Sequence, residues 1–134
     1  MSQTLAQRRA AHALARIKTH EKAGKQSYGN YVSYVSALPA TILMNGLGQA
    51  CATLLSQEKV KGHKELYDDL QSWLCRSDEA APFPNAADGN DTKLMEAITS
   101  CEQAAYFRAQ AEALAYLVWL KKLAKAFLEQ GGNE

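Results

Sequence analysis

A row of cationic side chains near the N-terminus is the first feature of this 134-residue chain that could do chemistry. Arg9, His12, Arg16 and His20 follow one another at spacings of three, four and four residues, and Arg8 lies beside them. On a helix, these spacings place the side chains along one edge. Like charges so arranged repel each other, so the edge predicts an acidic or a phosphate partner. A solvated helix face is the alternative explanation.

A second basic group occurs in the C-terminal segment, where Arg108, Lys121 and Lys122 accompany Trp119. On a helical wheel Trp119 lies roughly opposite the main apolar stripe of that segment. A tryptophan in this position requires a second contact, which is either another helix of the same chain or a neighbouring protein.

Catalytic motifs are not found in the sequence. Gly46-Leu47-Gly48 lacks the lysine of a phosphate-binding loop and follows no strand, and no nucleophile has a base at a known spacing. Asp68 and Asp69 point in different directions on a helix, which argues against paired-acid chemistry. No carboxylate or cysteine accompanies His12 or His20, so each is interpreted as a hydrogen-bonded surface residue. The sequence therefore predicts a protein that is not an enzyme and has no catalytic residue.

The cysteines Cys51, Cys75 and Cys101 are odd in number, far apart and embedded in apolar patterns, which indicates buried free thiols in a reducing cytosol. No CxxC pair or histidine at ligand spacing accompanies them, so neither a metal site nor a cofactor is predicted. The N-terminal segment lacks the apolar run of a signal peptide, and no segment is long and unbroken enough to anchor in lipid. We therefore expect a cytoplasmic protein with no membrane partner.

The elements that must position these side chains are predicted to be helices. The chain is 47% hydrophobic with a net charge of +1, and its length suits one domain with its own core. The first helix is predicted from Ser2 or Thr4 to Gly24. Its core face is expected to consist of small and apolar residues, namely Ala6, Ala10, Ala13, Leu14 and Ile17.

A stretch without Asp, Glu, Lys or Arg lies between Lys25 and Glu58 and is predicted to form the core. Pro39 is expected to end one helix and begin another, because proline suits a first helical turn and disfavours the helical conformation in the residue before it. Asn45 and Gly46 are expected to stop that second helix, since both tolerate positive φ. The piece from Leu47 to Leu55 is then expected to be packed on all sides.

The rest of the chain continues the helical pattern. Leu66, Tyr67, Leu70, Trp73 and Leu74 form the apolar stripe of a helix over 63–77. Residues 78–91 are predicted to be a mobile loop, and helices over about 91–100 and 102–130 follow, with a break near Ser100 left open. The predicted fold is all-α: one domain over 1–134, a compact bundle of about five to seven helices, with long N- and C-terminal helices around a core of short helices.

Leu38-Pro39-Ala40, Ile42 to Ala50 and Leu54-Leu55 closely resemble the signature of a known family, the small helical subunit of the Cmr complex, the type III-B CRISPR RNA-guided effector. Leu5 to Arg9 is similar to the opening of that family. Residues 111–114 and 119–124 are similar to its C-terminal helix, although Leu123 replaces an expected phenylalanine. The match over 58–100 is loose.

The resemblance implies a non-catalytic small subunit of an antiviral effector complex that targets RNA. Such subunits stack along the assembly beside other Cmr subunits and copies of themselves, and they contact the backbone of the guide and target RNA without reading bases. The candidate residues for contact with RNA or a partner are Arg8, Arg9, Arg16, Arg108, Lys121 and Lys122, while Pro39, Asn45, Gly46 and Trp119 belong to the structural motif. The alternative is a helical protein–protein scaffold or self-associating module without direct RNA contact.

Overall fold

The computed structural model describes residues 2–86 and 91–128, and these form six helices. The helices are α1 (Leu5–Ala23), α2 (Lys25–Tyr28), α3 (Tyr31–Ser56), α4 (His63–Leu74), α5 (Lys93–Ser100) and α6 (Gln103–Phe127). The predicted all-α bundle with long first and last helices is confirmed.

Helix α1 begins and ends where local chemistry predicts. The Thr4 hydroxyl accepts a hydrogen bond from the backbone N–H of Gln7, and the Gln7 side chain accepts one from the N–H of Thr4. This reciprocal capping box satisfies two donors that the first turn would otherwise leave unpaired. At the other end Gly24 adopts a φ of 96°, which favours glycine and closes the helix.

The prediction that a helix ends at Pro39 was wrong. Helix α3 runs through Pro39 over 26 residues. Leu38 and Ile42 are buried on either side of the proline, and burial of this apolar face outweighs the lost hydrogen bond to the Val35 carbonyl. The central helix therefore continues through Pro39 instead of ending there.

The predicted break at Asn45 and Gly46 is confirmed as a kink within α3. Gly46 has a φ of 89° and a ψ of 158°, outside the helical region. The kink interrupts the backbone ladder, and helix α6 supplies the missing acceptors. The Leu47 N–H donates to Gln110 Oε1 at 2.8 Å, and the Gly48 N–H donates to the Tyr106 hydroxyl at 3.0 Å. The kink thus fixes α3 against α6.

The charge-free stretch is only partly interior. Leu47, Ala50, Cys51 and Leu54 are buried, but Gln49, Ala52 and Thr53 are exposed, so the expectation that Leu47–Leu55 is packed on all sides was wrong. By length and composition alone, Lys25–Ser56 would also pass as a membrane span, with a mean hydropathy of 1.2 in its most apolar window. A core helix meets the same criteria, and this one is kinked and packed between α4 and α6.

Helix α4 buries all five residues of its predicted stripe. The connection from 75 to 86 that follows is irregular, and the Phe83 N–H donates to the Leu74 carbonyl, which holds this connection against α4. Part of the predicted 78–91 loop, residues 87–90, lies outside the described residues. The helix break left open near Ser100 is present, because α5 ends there and Glu102 is the N-cap of α6.

Candidate protein and nucleic-acid interface

The cationic edge of α1 faces α4 and α6. Ala13 and Ile17 are buried as expected, but Ala6 and Leu14 of the predicted core face are exposed, while His20 is buried. The face of α1 that enters the core is therefore turned toward the side that carries the arginines and histidines. Of the partners expected for this row, the structure supplies the acidic one from within the chain.

Asp69 is the centre of this network and has no exposed surface. Its carboxylate accepts hydrogen bonds from Arg16 Nε at 2.5 Å, from His20 Nε2 at 2.8 Å and from the hydroxyl of Tyr31. Burial lowers the pKa of Arg16, but the charge and hydrogen bond of Asp69 outweigh burial and leave this pKa raised. The interpretation of His20 as a surface residue was wrong, because a charge-assisted network holds it in the interior.

Glu112 of α6 forms a second junction. Its carboxylate accepts from Arg9 Nε and Nη2 at 2.6 and 2.8 Å and from the Trp73 indole N–H at 2.8 Å. Burial raises the pKa of Glu112, but the Arg9 and Trp73 hydrogen bonds outweigh burial and leave the pKa below its ordinary value. Arg9 binds Glu112 in the bidentate geometry for which arginine is suited. Together with the Trp73 hydrogen bond, this contact joins α1, α4 and α6.

His12 lies between the two junctions. Nδ1 is 2.7 Å from the Tyr116 hydroxyl and Nε2 is 2.9 Å from Ser72 Oγ. Burial, with a contribution from the charge of Arg16, lowers the His12 pKa from 6.5 to about 4. His12 is therefore neutral at pH 7, and the row that looks cationic in sequence carries less charge in the fold.

Arg8 lies at the outer end of the network. Its Nη1 is 2.6 Å from Asp78 Oδ2, and Arg76 Nε is 3.5 Å from the same oxygen. Arg76 also stacks over the Trp73 ring at 3.6 Å. These contacts tie the connection after α4 to the start of α1.

The basic residues of α6 have a different environment. Arg108 and Lys122 are exposed and Lys121 is half-buried. No ion pair joins any of the three to a carboxylate among the described residues. At 1.5 Å per residue, Arg108 and Lys122 are about 21 Å apart along the helix, so the structure does not bring these residues into one cluster.

Large apolar side chains are exposed on α6 and on α3. Trp119 is 37% exposed, so its second contact within the chain is incomplete. Phe107 on α6 is 57% exposed, and Leu43 and Met44, directly before the kink, are 70% and 83% exposed. Sequence reasoning missed the exposure of Phe107, Leu43 and Met44. It assigned Leu43 and Met44 to the core. Asn45 is exposed beside them.

The described residues contain no group of three or more His, Cys, Asp or Glu side chains placed to hold a metal ion. Cys51 and Cys75 are buried free thiols, as predicted, and Cys101 is half-buried. Burial raises the pKa of Cys51 to about 12 and that of Cys75 to about 11, so neither is a reactive thiolate at neutral pH.

Comparison with known proteins agrees with the signature around the kink. The family model described as "CRISPR-associated protein (Cas_Cmr5)" matches residues 5–127. The chain belongs to the Cas_Cmr5 family. A relative from Thermus thermophilus, described as "CRISPR system Cmr subunit Cmr5", is 31% identical over 113 residues, which cover 84% of this chain and 88% of the relative.

The fold agrees as well. A crystal structure of a CRISPR-associated Cmr5 family protein from Thermus thermophilus matches with a TM-score of 0.76 at 29% identity, covering 96% of this chain and all of the other. The resemblance to the small Cmr subunit that the sequence showed is thereby confirmed. The family match over residues 5–127 includes the basic residues of α1 and α6 and the kink of α3.

Proposed function

We propose that this protein is a non-catalytic small subunit of a type III-B CRISPR effector complex and that it contacts the guide–target RNA duplex through its sugar-phosphate backbone. The observation that carries the proposal is the family match over residues 5–127. In this role the protein works in the cytoplasm with other Cmr subunits and with copies of itself.

The α6 cations are the best suited to direct RNA contact. Arg108 and Lys122 project from the exposed face of a rigid helix, and no carboxylate of the described residues neutralises them. Such side chains bind phosphate without reading sequence, and each phosphate that they neutralise releases counterions. Lys121 is half-buried beside them and adds a further point charge.

Arg8, Arg9 and Arg16 are proposed in a second role. Each guanidinium forms an ion pair with Asp78, Glu112 or Asp69 respectively. Direct contact of these residues with RNA or a partner stays a prediction, and Arg8 is the best placed of the three because its side chain is 40% exposed. Arg9 and Arg16 support the interface by holding α1, α4 and α6 in register.

The test is a filter-binding assay of the purified protein with generic RNA across a salt series. Lys122→Ala is expected to weaken binding to all RNA sequences alike and to lower the salt slope by roughly 1, with the fold unchanged. Lys59→Ala, which removes an exposed lysine outside α6, is the matched control. A loss confined to particular RNA sequences, or an equal loss for Lys59→Ala, would contradict the proposed contact.

The second candidate function is a protein–protein scaffold without direct RNA contact, and the exposed apolar residues favour it. Leu43, Met44, Phe107 and Trp119 are large and exposed, and methionine and aromatic side chains are enriched at protein interfaces. RNA-independent association on a sizing column, with no salt-sensitive RNA retention, would favour this function over the first.

A further inference from the structure

One face of α6 combines cations with a tryptophan. Its members follow one another at spacings of three or four residues, which places them in a row along the helix. They are Arg108, Ala111, Ala115, Trp119, Lys122 and Ala126. All are exposed except Ala115, which is half-buried. We refer to these six residues as the α6 stripe.

Trp119 has small neighbours on the α6 stripe. Side chains on a helix lean toward its N-terminus, so the Trp119 indole is directed toward Ala115, one turn earlier. Ala115 and Ala111 place no bulky side chain there. Trp119 keeps 37% of its surface exposed, whereas Trp73 is 2% exposed and stacked on Tyr116 inside the molecule. Of the two tryptophans, only Trp119 can therefore meet an external ligand.

The charge of the α6 stripe is entirely positive. Glu112 is the only acidic residue in 103–127, and its carboxylate is bound by Arg9 and by the Trp73 indole. Lys122 lies about 4.5 Å after Trp119 along the helix axis, and Arg108 lies about 16 Å before it. A ligand on the Trp119 ring would therefore have a cation on either side, which suits a polyanion.

The tryptophan narrows the class of polyanion. Arg108 and Lys122 alone would suffice for contact with phosphate. The bases of an RNA duplex are paired and stacked on one another, whereas an unpaired base offers its face to an aromatic side chain. Aromatic rings flanked by cations are the means by which proteins hold single-stranded nucleic acid. A protein partner fits less well, because lysine is depleted at protein interfaces and burial of Lys122 would require a matching acid.

We propose that Trp119 stacks on an unpaired base while Lys122 and Arg108 contact the phosphates on either side, so that the α6 stripe takes unpaired nucleotides of the bound RNA. The inference rests on the proposed function, which assigns backbone contact to the same cations. It adds a base-stacking residue and a preference for unpaired over duplex RNA. Stacking tolerates any sequence, because every base has an aromatic face.

The test compares the affinity of the full chain for two RNA probes of equal length, a single-stranded oligouridine and a duplex, by filter binding. Trp119→Leu is expected to weaken oligouridine binding roughly 5- to 100-fold and to change duplex binding by less than about twofold. Trp119→Phe keeps an aromatic face and is expected to recover most of the loss. Phe107→Ala is the matched control, since it removes an exposed aromatic ring about 120° around the same helix, and it is expected to change neither affinity.

Tryptophan fluorescence of the wild type gives a readout that needs no loss of affinity. Oligouridine is expected to quench the emission of the wild type. In Trp119→Phe the remaining tryptophan is the buried Trp73, so oligouridine is expected to leave the emission of this variant unchanged even though the variant still binds.

The outcomes separate this inference from the proposed function. Unchanged oligouridine affinity of Trp119→Leu, an equal loss for the duplex or for Phe107→Ala, or unquenched wild-type emission overturns stacking by Trp119; the backbone contact then stands if Lys122→Ala weakens both probes. A wild type that retains neither RNA at low salt overturns the proposed RNA contact and this inference with it. Association of the chain on a sizing column without RNA, lost in Trp119→Leu, assigns the α6 stripe to a protein partner and overturns its assignment to RNA.

Discussion

Asp69 provides the sharpest test of the internal network. Its carboxylate is fully buried and accepts from Arg16, His20 and Tyr31. Asp69→Asn keeps the side-chain shape but removes the charge, and it leaves the Arg16 guanidinium without its ion pair. Removing one partner of a buried pair costs about 3–5 kcal/mol.

The structure moderates this magnitude. The Arg16 side chain is 31% exposed, so water recovers part of the lost interaction. We expect the free energy of unfolding to fall by about 2–4 kcal/mol, a large part of the roughly 5–15 kcal/mol that holds a domain together. For a chain of this length, that is a decrease in Tm of about 7–14 °C.

The assay is urea unfolding of Asp69→Asn followed by circular dichroism and tryptophan fluorescence. The neighbouring carboxylate supplies the control, because Asp68 is 38% exposed and pairs with Lys64 on the same helix at 2.8 Å. Asp68→Asn is expected to cost at most about 0.5 kcal/mol. If the two variants lose the same stability to within about 0.5 kcal/mol, the network does not hold the fold and the reasoning fails.

Three further predictions concern pH, the kink and the thiols. The His12 pKa is about 4 in the fold and 6.5 unfolded. Its contribution to the free energy of unfolding is therefore present above pH 6.5 and is lost as pH falls toward 4, and screening reduces this contribution to about 1–2 kcal/mol. His12→Gln should flatten the pH dependence of the urea midpoint over that range. Gly46→Ala should lower the free energy of unfolding by about 1–3 kcal/mol, because φ is positive and the new Cβ would meet Tyr106. A Cβ at Gly48 would make an ordinary contact of 3.4 Å, so calorimetry of Gly48→Ala should show a smaller loss of stability. The Cys51 thiol, buried and with a pKa of about 12, should resist alkylation in the native protein and react in urea; rapid native alkylation detected by mass spectrometry would contradict its burial.

Local features of the chain were predictable from sequence because neighbouring residues determine them. Thr4 with Gln7 forms a capping box within four residues, and the stripe on α4 follows from periodicity alone. Gly46 marks the kink because glycine tolerates positive φ. At Pro39 a local preference led to a wrong prediction. Proline disfavours a continuing helix, but the burial of Leu38 and Ile42 outweighs this preference.

The partners of charged side chains were decided by tertiary structure. Arg9 and Glu112 are separated by 103 positions, and Arg16 and Asp69 by 53, so no local pattern shows that the arginines of α1 meet carboxylates of the same chain. The sequence determined that the protein is helical and which family it belongs to. Only the packing of α1 against α4 and α6 decided which cations are neutralised inside and which remain available, because that packing sets the distances on which electrostatic pairing depends.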